Sequence, residues 1–183
     1  KTGTYRLKGH ATKDFYRWCC SWSVNIENPK DLGFNADYYV LPKLIEKNII
    51  IDIDVIDDSF EHGLFRDIGT SATSFHKEKN RTADIRAKKC AEIVMKDDDQ
   101  YLIWCDTNLE ADLLKKYIPK AIEVRGSDKP QRKEQCALDF KQGKTRVLIS
   151  KPKIFGYGMN FQKCHNVIFC GLTYSYENYH QAL

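Results

Sequence analysis

Apolar positions recur along the chain in two rhythms. Ala83, Ala87, Cys90, Ala91 and Val94 fall at i, i+4, i+7, i+8 and i+11, the repeat of one helical face, and the pattern stops near Asp97. Residues 101–105, 146–150 and 167–170 are continuous apolar runs of strand length, and residues 121–124 make a shorter one. Between the strands the helical rhythm returns. Thr107-Asn108-Leu109-Glu110 has the S/T-x-x-E form of a capping box, after which Leu109, Leu113 and Tyr117 share a face, and Pro119 lies just beyond. Pro130 suits a first helical turn, Cys136, Ala137 and Phe140 form the expected buried side, and Gly143 is placed to end that helix. Helix and strand alternate, so the pattern predicts an α/β fold with a parallel sheet covered by helices on both faces. In such sheets ligands gather at the carboxyl ends of the strands, here the loops after Cys105, Val124, Ser150 and Cys170.

The first part of the chain reads differently. Residues 1–48 are rich in aromatics, and residues 11–24 have helical spacing with Phe15, Trp18, Cys19 and Trp22 on one side, expected to be a packing face. Residues 28–33 read as a turn. In residues 49–56, Ile51, Ile53 and Val55 alternate with Asp52 and Asp54, the pattern of a half-buried strand with its carboxylates toward water. Residues 57–70 are acidic, contain Gly63 and Gly69, and are the expected mobile loop. The shift in pattern divides the chain into a smaller, mostly helical connector over 1–75 and a sheet-bearing domain over 76–183.

Composition narrows the function classes. The chain has 183 residues, 42% hydrophobic and 30% charged, which suits one ordinary domain with a short appendage and excludes disordered, collagenous and coiled-coil chains. No run approaches the roughly 18 apolar residues that span a bilayer. The N-terminus has neither an initiator Met nor a signal-peptide core, and the C-terminus has no polar tail, so the sequence is expected to be a piece of a longer, cytoplasmic protein. Seven cysteines without a C-x-x-C pair, and with no histidine at a zinc-like offset, are expected to be reduced core thiols rather than metal ligands or disulfides. The five histidines show no nucleophile–base spacing, and no G-x-x-x-x-G-K-[ST] loop or acidic strand-end box occurs. No catalytic residue is therefore assigned.

The net charge of +4 hides an uneven distribution: residues 115–153 hold twelve Lys or Arg against four acids, while residues 50–67 hold six acids and one Arg. The basic stretch spans two strand-end loops, where it can neutralise phosphates or serve as a solvated helix surface. The loop following Ser150 carries Lys151, Lys153, Gly156 and Gly158. Two glycines after a buried strand let backbone N–H groups approach a polyanion, but the third glycine of a dinucleotide fingerprint is missing.

Taken together, these pieces resemble the C-terminal RecA-like lobe of superfamily-two helicases and translocases, nearest the Swi/Snf-type branch of phage and prophage genomes. Residues 101–106 look like the family's fourth-motif strand. Val124-Arg125-Gly126-Ser127, with Arg132 and Phe140, is similar to its glycine-plus-helix element. Residues 150–161 look like its fifth motif, and residues 167–171 with Tyr174-Ser175-Tyr176 and Gln181-Ala182-Leu183 look like the lead-in to its sixth. Residues 29–33 with Leu41-Pro42 resemble the segment that joins the two lobes.

The resemblance implies that Asp106, Thr107, Gly126, Ser127, Ser150, Lys151, Phe155 and Gly156 lie near a DNA backbone. It implies that Gly158, Met159, Asn160 and Gln181 face an interlobe cleft that holds ATP and Mg²⁺ once the first lobe is present. The implied partners are double-stranded DNA, ATP and that first lobe, with no membrane. The chain stops before the arginines of the sixth motif, so the fragment alone is expected to be catalytically silent. Two departures stand out: Lys151-Pro152-Lys153-Ile154-Phe155 replaces small residues, and Tyr174-Ser175-Tyr176 replaces Trp-Asn-Pro. A stand-alone nucleic-acid-binding or assembly module on the same fold is the alternative, and a nucleotide-cofactor enzyme such as a methyltransferase is a more distant one.

Overall fold

The computed structural model describes residues 7–24, 26, 28–39, 42–51 and 72–183. By their internal contacts, residues 1–50 and 51–183 form two compact units.

The first unit contains helix α1 (Thr12–Cys20), entered through a 3₁₀ turn at Gly9–Ala11. A second 3₁₀ turn at Pro29–Leu32 has a capping box: Asn28 accepts from the Lys30 N–H while Asp31 accepts from the Asn28 N–H. The aromatic side of α1 is not a buried packing face. Trp18 and Trp22 remain 59% and 64% exposed, and the rings pack on each other, with Trp18 and Trp22 edge to face at 5.3 Å. Helical spacing groups these rings on one side but does not supply anything for that side to cover. Of the expected strand at 49–56, residues 49–51 carry no strand, and residues 52–56 lie outside the described residues, as does the loop at 57–70.

The second unit carries the expected α/β architecture. Helices α2 (Ala72–Arg81) and α3 (Ala83–Val94) precede strand β1 (Tyr101–Trp104). Then follow α4 (Asn108–Tyr117), β2 (Ile122–Glu123), α5 (Pro130–Lys141), β3 (Val147–Ser150), the short α6 (Pro152–Phe155), β4 (Asn166–Phe169) and α7 (Tyr176–Gln181). The strands are parallel in the order β2-β3-β1-β4, with Ile103 opposite Ile149 on one side and Ile168 on the other. β1 and β3 are buried at every position, as their continuous apolar sequences require of a sheet covered on both faces.

Side chains of β1 alternate between the two cores. Tyr101, Ile103 and Cys105 point toward α3 and α4, where Ala87, Cys90, Ala91, Val94, Ala111 and Leu114 close the first layer. Leu102 and Trp104 point the other way, onto Ala137 and Phe140 of α5, Phe155 of α6 and Ala182. The indole N–H of Trp104 donates to the Ala182 carbonyl at 3.0 Å, so the largest core side chain also anchors the end of α7.

The face predicted for α3 is the buried one, residue for residue. That predicted for α4 is rotated. Glu110, Ala111 and Leu114 are buried, Leu113 and Tyr117 are partly covered, and Leu109 is 42% exposed. A carboxylate has displaced the expected leucine because Glu110 has partners inside. Among the described residues no helix is long and apolar enough to cross a membrane.

Candidate nucleic-acid interface

Three strand ends meet at one opening. Cys105 after β1, Glu123 at the end of β2 with Val124 to Ser127 after it, and Lys151, Lys153 and Ile154 after β3 line a cavity of about 420 Å³, which Asn108 and Ala111 of α4 complete. The parallel register brings them together, because Trp104 pairs with Ser150 and Glu123 with Ile149. Backbone bonds extend the sheet one step further, from the Cys105 N–H to Ser150 O at 3.0 Å and from the Val124 N–H to Ile149 O at 2.9 Å.

The expected site residues divide by how they sit. Gly126, Ser127 and Lys151 line the opening. Ser150, Phe155 and Gly156 are buried beneath it: the Ser150 hydroxyl donates to Val124 O at 3.1 Å, and Phe155 belongs to the second core with Phe161 beside it. Thr107 caps α4, its hydroxyl accepting from the Glu110 N–H at 3.1 Å. The Asp106 carboxylate is engaged by the Lys79 ammonium at 2.5 Å. Lys153 and Asn108 also line the cavity; the basic loop after β3 makes Lys153 legible in the sequence, whereas nothing in the sequence points to Asn108 as a lining residue.

Part of the basic surplus is engaged within the protein. Arg125 pairs with Glu123 and Asp112, which together hold its guanidinium still further above its ordinary pKa. Arg132 pairs with Asp128 and donates to Glu123 O at 3.0 Å, and Lys133 donates to Gly126 O at 2.6 Å. Lys115 bonds the carbonyls of Pro119 and Ala121. Lys151 and Lys153 form no hydrogen bond or ion pair within the described residues, and both line the cavity. Their charges are available to a ligand.

Beneath the opening, burial pushes the Cys105 thiol up to about 12, so this cysteine stays protonated and is no nucleophile. On the other side of α6, Gly158, Met159 and Asn160 are exposed, and so is Gln181. Gly158 sits at φ 68°, the left-handed region, with open space where a side chain would stand.

Residues 85–183, a little over half of the chain, match the family model described as Helicase conserved C-terminal domain. The chain is similar to the crystal structure of T4 UvsW at 15% identity and a TM-score of 0.49, covering 62% of this chain and 24% of that one. It is also similar to the crystal structure of the C-terminal part of the Fun30 ATPase domain at 17% identity and a TM-score of 0.42, covering 93% of this chain and 43% of that one. It thus spans less than half the length of either. No curated protein matches it.

Proposed function

The chain belongs to the family of the helicase conserved C-terminal domain, and on that premise we propose that it is the second motor lobe of an ATP-dependent DNA helicase or translocase. Residues 76–183 are the lobe in this reading, and residues 1–75 are the connector from a first lobe outside these 183 residues. The opening at the ends of β1, β2 and β3 grips the sugar–phosphate backbone of double-stranded DNA, and the surface at Gly158, Met159, Asn160 and Gln181 is one wall of the ATP cleft.

The observation that carries the reading is the pair of ammonium groups, Lys151 and Lys153, that have no hydrogen-bond or ion-pair partner among the described residues and lie beside the exposed Gly126 and Ser127 in one cavity. Phosphate contacts of this kind hold a strand without reading its sequence. The paired cations Arg125 and Arg132 have a different part: they fix the loop that presents Gly126 and Ser127. The Arg125 N–H, bonded to the Asp128 carboxylate at 2.8 Å, closes that loop on itself.

Gly158, Met159, Asn160 and Gln181 would hold one side of the nucleotide, whose hydrolysis with Mg²⁺ supplies the free energy for movement when both lobes are present. This chain contributes position rather than chemistry: it has no phosphate-cradling lysine loop of the Walker type. The test is ATP hydrolysis by the 183-residue chain and by a longer chain that adds the first lobe. The reading expects no turnover from the former and DNA-stimulated turnover from the latter. Hydrolysis by the shorter chain, or a longer chain indifferent to DNA, overturns it.

A further inference from the structure

A network of polar groups joins the end of β1 to the end of β4, and its centre is a lysine that the family reading did not use. Lys79, on α2, is 8% exposed. Its ammonium donates to the Asp106 carboxylate, after β1, and to the Leu172 carbonyl, after β4, each at 2.5 Å. The Phe75 ring lies 4.8 Å beneath it, and the same ring packs against Tyr174, tilted by 50° with centroids 4.5 Å apart. Arg86 on α3 continues the network. Its guanidinium donates to Glu110 at 2.7 Å, to the Lys79 carbonyl at 2.5 Å and to the Cys170 carbonyl, while Glu110 accepts from the N–H groups of Asp106 at 2.7 Å and Thr107 at 3.0 Å.

The Lys79 ammonium therefore bridges the two loops directly, beside the longer Arg86–Glu110 link. A buried lysine is stable only with its charge matched and its donors used, and here the acceptors come from segments far apart in sequence. The carboxylate of Asp106 is drawn toward Lys79, which places a negative charge away from any phosphate that reaches Thr107. Tyr174, where the family pattern has Trp-Asn-Pro, is clasped by Phe75 of the same helix. The segment after Tyr174 enters α7 directly, with Ser175 accepting from the Asn178 N–H at 3.2 Å.

We propose that Lys79 is a positioning residue that makes the loop after β1 and the loop after β4 a single mechanical unit, so that a shift of the segment leading into α7 is felt at the strand-gripping edge. This rests on the motor-lobe reading for its consequence but not for its geometry. Lys79 touches no phosphate in this account; it acts through Asp106 and Leu172.

The test uses the 183-residue chain with Lys79→Met, Lys79→Gln and Lys79→Arg, read by amide hydrogen exchange and by duplex-DNA binding at several salt concentrations. In Lys79→Met, amides of residues 106–107 and 172–174 are expected to exchange about tenfold faster together, with β1 and β3 unchanged. DNA affinity is expected to fall several-fold with an unaltered salt slope, since no phosphate contact is lost, and Lys79→Arg to restore both readouts. Where Lys79→Met does not fold, Lys79→Gln, which keeps a donor to Leu172, is expected to free residues 106–107 and 172–174 to a lesser, still common, degree. Faster exchange in one loop only, unchanged exchange in both, or a reduced salt slope overturns the proposal. A wild-type chain that binds no DNA would remove the motor-lobe reading, and the exchange data alone would then decide whether Lys79 joins the loops.

Discussion

The Arg86 guanidinium lies 2.7 Å from the Glu110 carboxylate, whose side chain has none of its surface in water. Breaking a buried pair leaves one charge without compensation and costs about 3–5 kcal/mol. Glu110→Ala is expected to cost about that much, since it also removes the acceptor for the Asp106 and Thr107 N–H groups. Glu110→Gln keeps an acceptor oxygen and should cost less. Urea midpoints with unchanged m-values provide the measure; equal losses for the two variants would contradict the acceptor's share and assign the whole effect to the ion pair.

Gly171 is held to glycine by the same carboxylate. A Cβ there would overlap both carboxylate oxygens of Glu110, and the carboxylate is fixed by its donors. Gly171→Ala should therefore destabilise by about 1–3 kcal/mol, as overpacking does. Combined with Glu110→Ala the clash disappears, so the double variant should lose less than the sum of the single ones. Strict additivity in a denaturation cycle would show that Gly171 is glycine for some other reason.

Cys105 gives a pH signature. Its thiol is pushed up from 9.0 to about 12, chiefly by burial and then by the nearby Glu110 charge. The folded chain keeps this proton where the unfolded chain gives it up. The contribution is fully present below pH 9.0 and is lost as pH rises toward about 12, on the order of 4 kcal/mol in all. Stability measured across that window should fall less steeply in Cys105→Ala than in the wild type. Parallel curves would contradict the assignment.

Local rules account for what could be read in advance. The apolar repeat of α3 and the capping box at Thr107 and Glu110 depend on residues within a few turns, and both stand in the structure. The side of α4 that faces inward was not legible, because the partner of Glu110 is Arg86, 24 positions away, and the space it occupies is left open by Gly171. The basic stretch had the same limit. Counting charges gives a surplus over residues 115–153, but only the fold shows that Arg125 and Arg132 spend their charges on Glu123, Asp112 and Asp128 while Lys151 and Lys153 do not. On α1, an aromatic stripe has the same spacing whether it is covered or exposed.

The central claim is that the edge where β1, β2 and β3 end holds a nucleic-acid backbone, and the salt dependence of duplex binding tests it most directly. Fluorescence anisotropy of a labelled duplex should give a linear fall of log K with log salt concentration. In Lys151→Ala/Lys153→Ala the slope should be shallower by about 2, close to one released counterion per lost phosphate contact, with the fold unchanged because neither side chain has a hydrogen-bond or ion-pair partner among the described residues. An undiminished slope in that variant, or no binding by the wild type at low salt, would contradict the account.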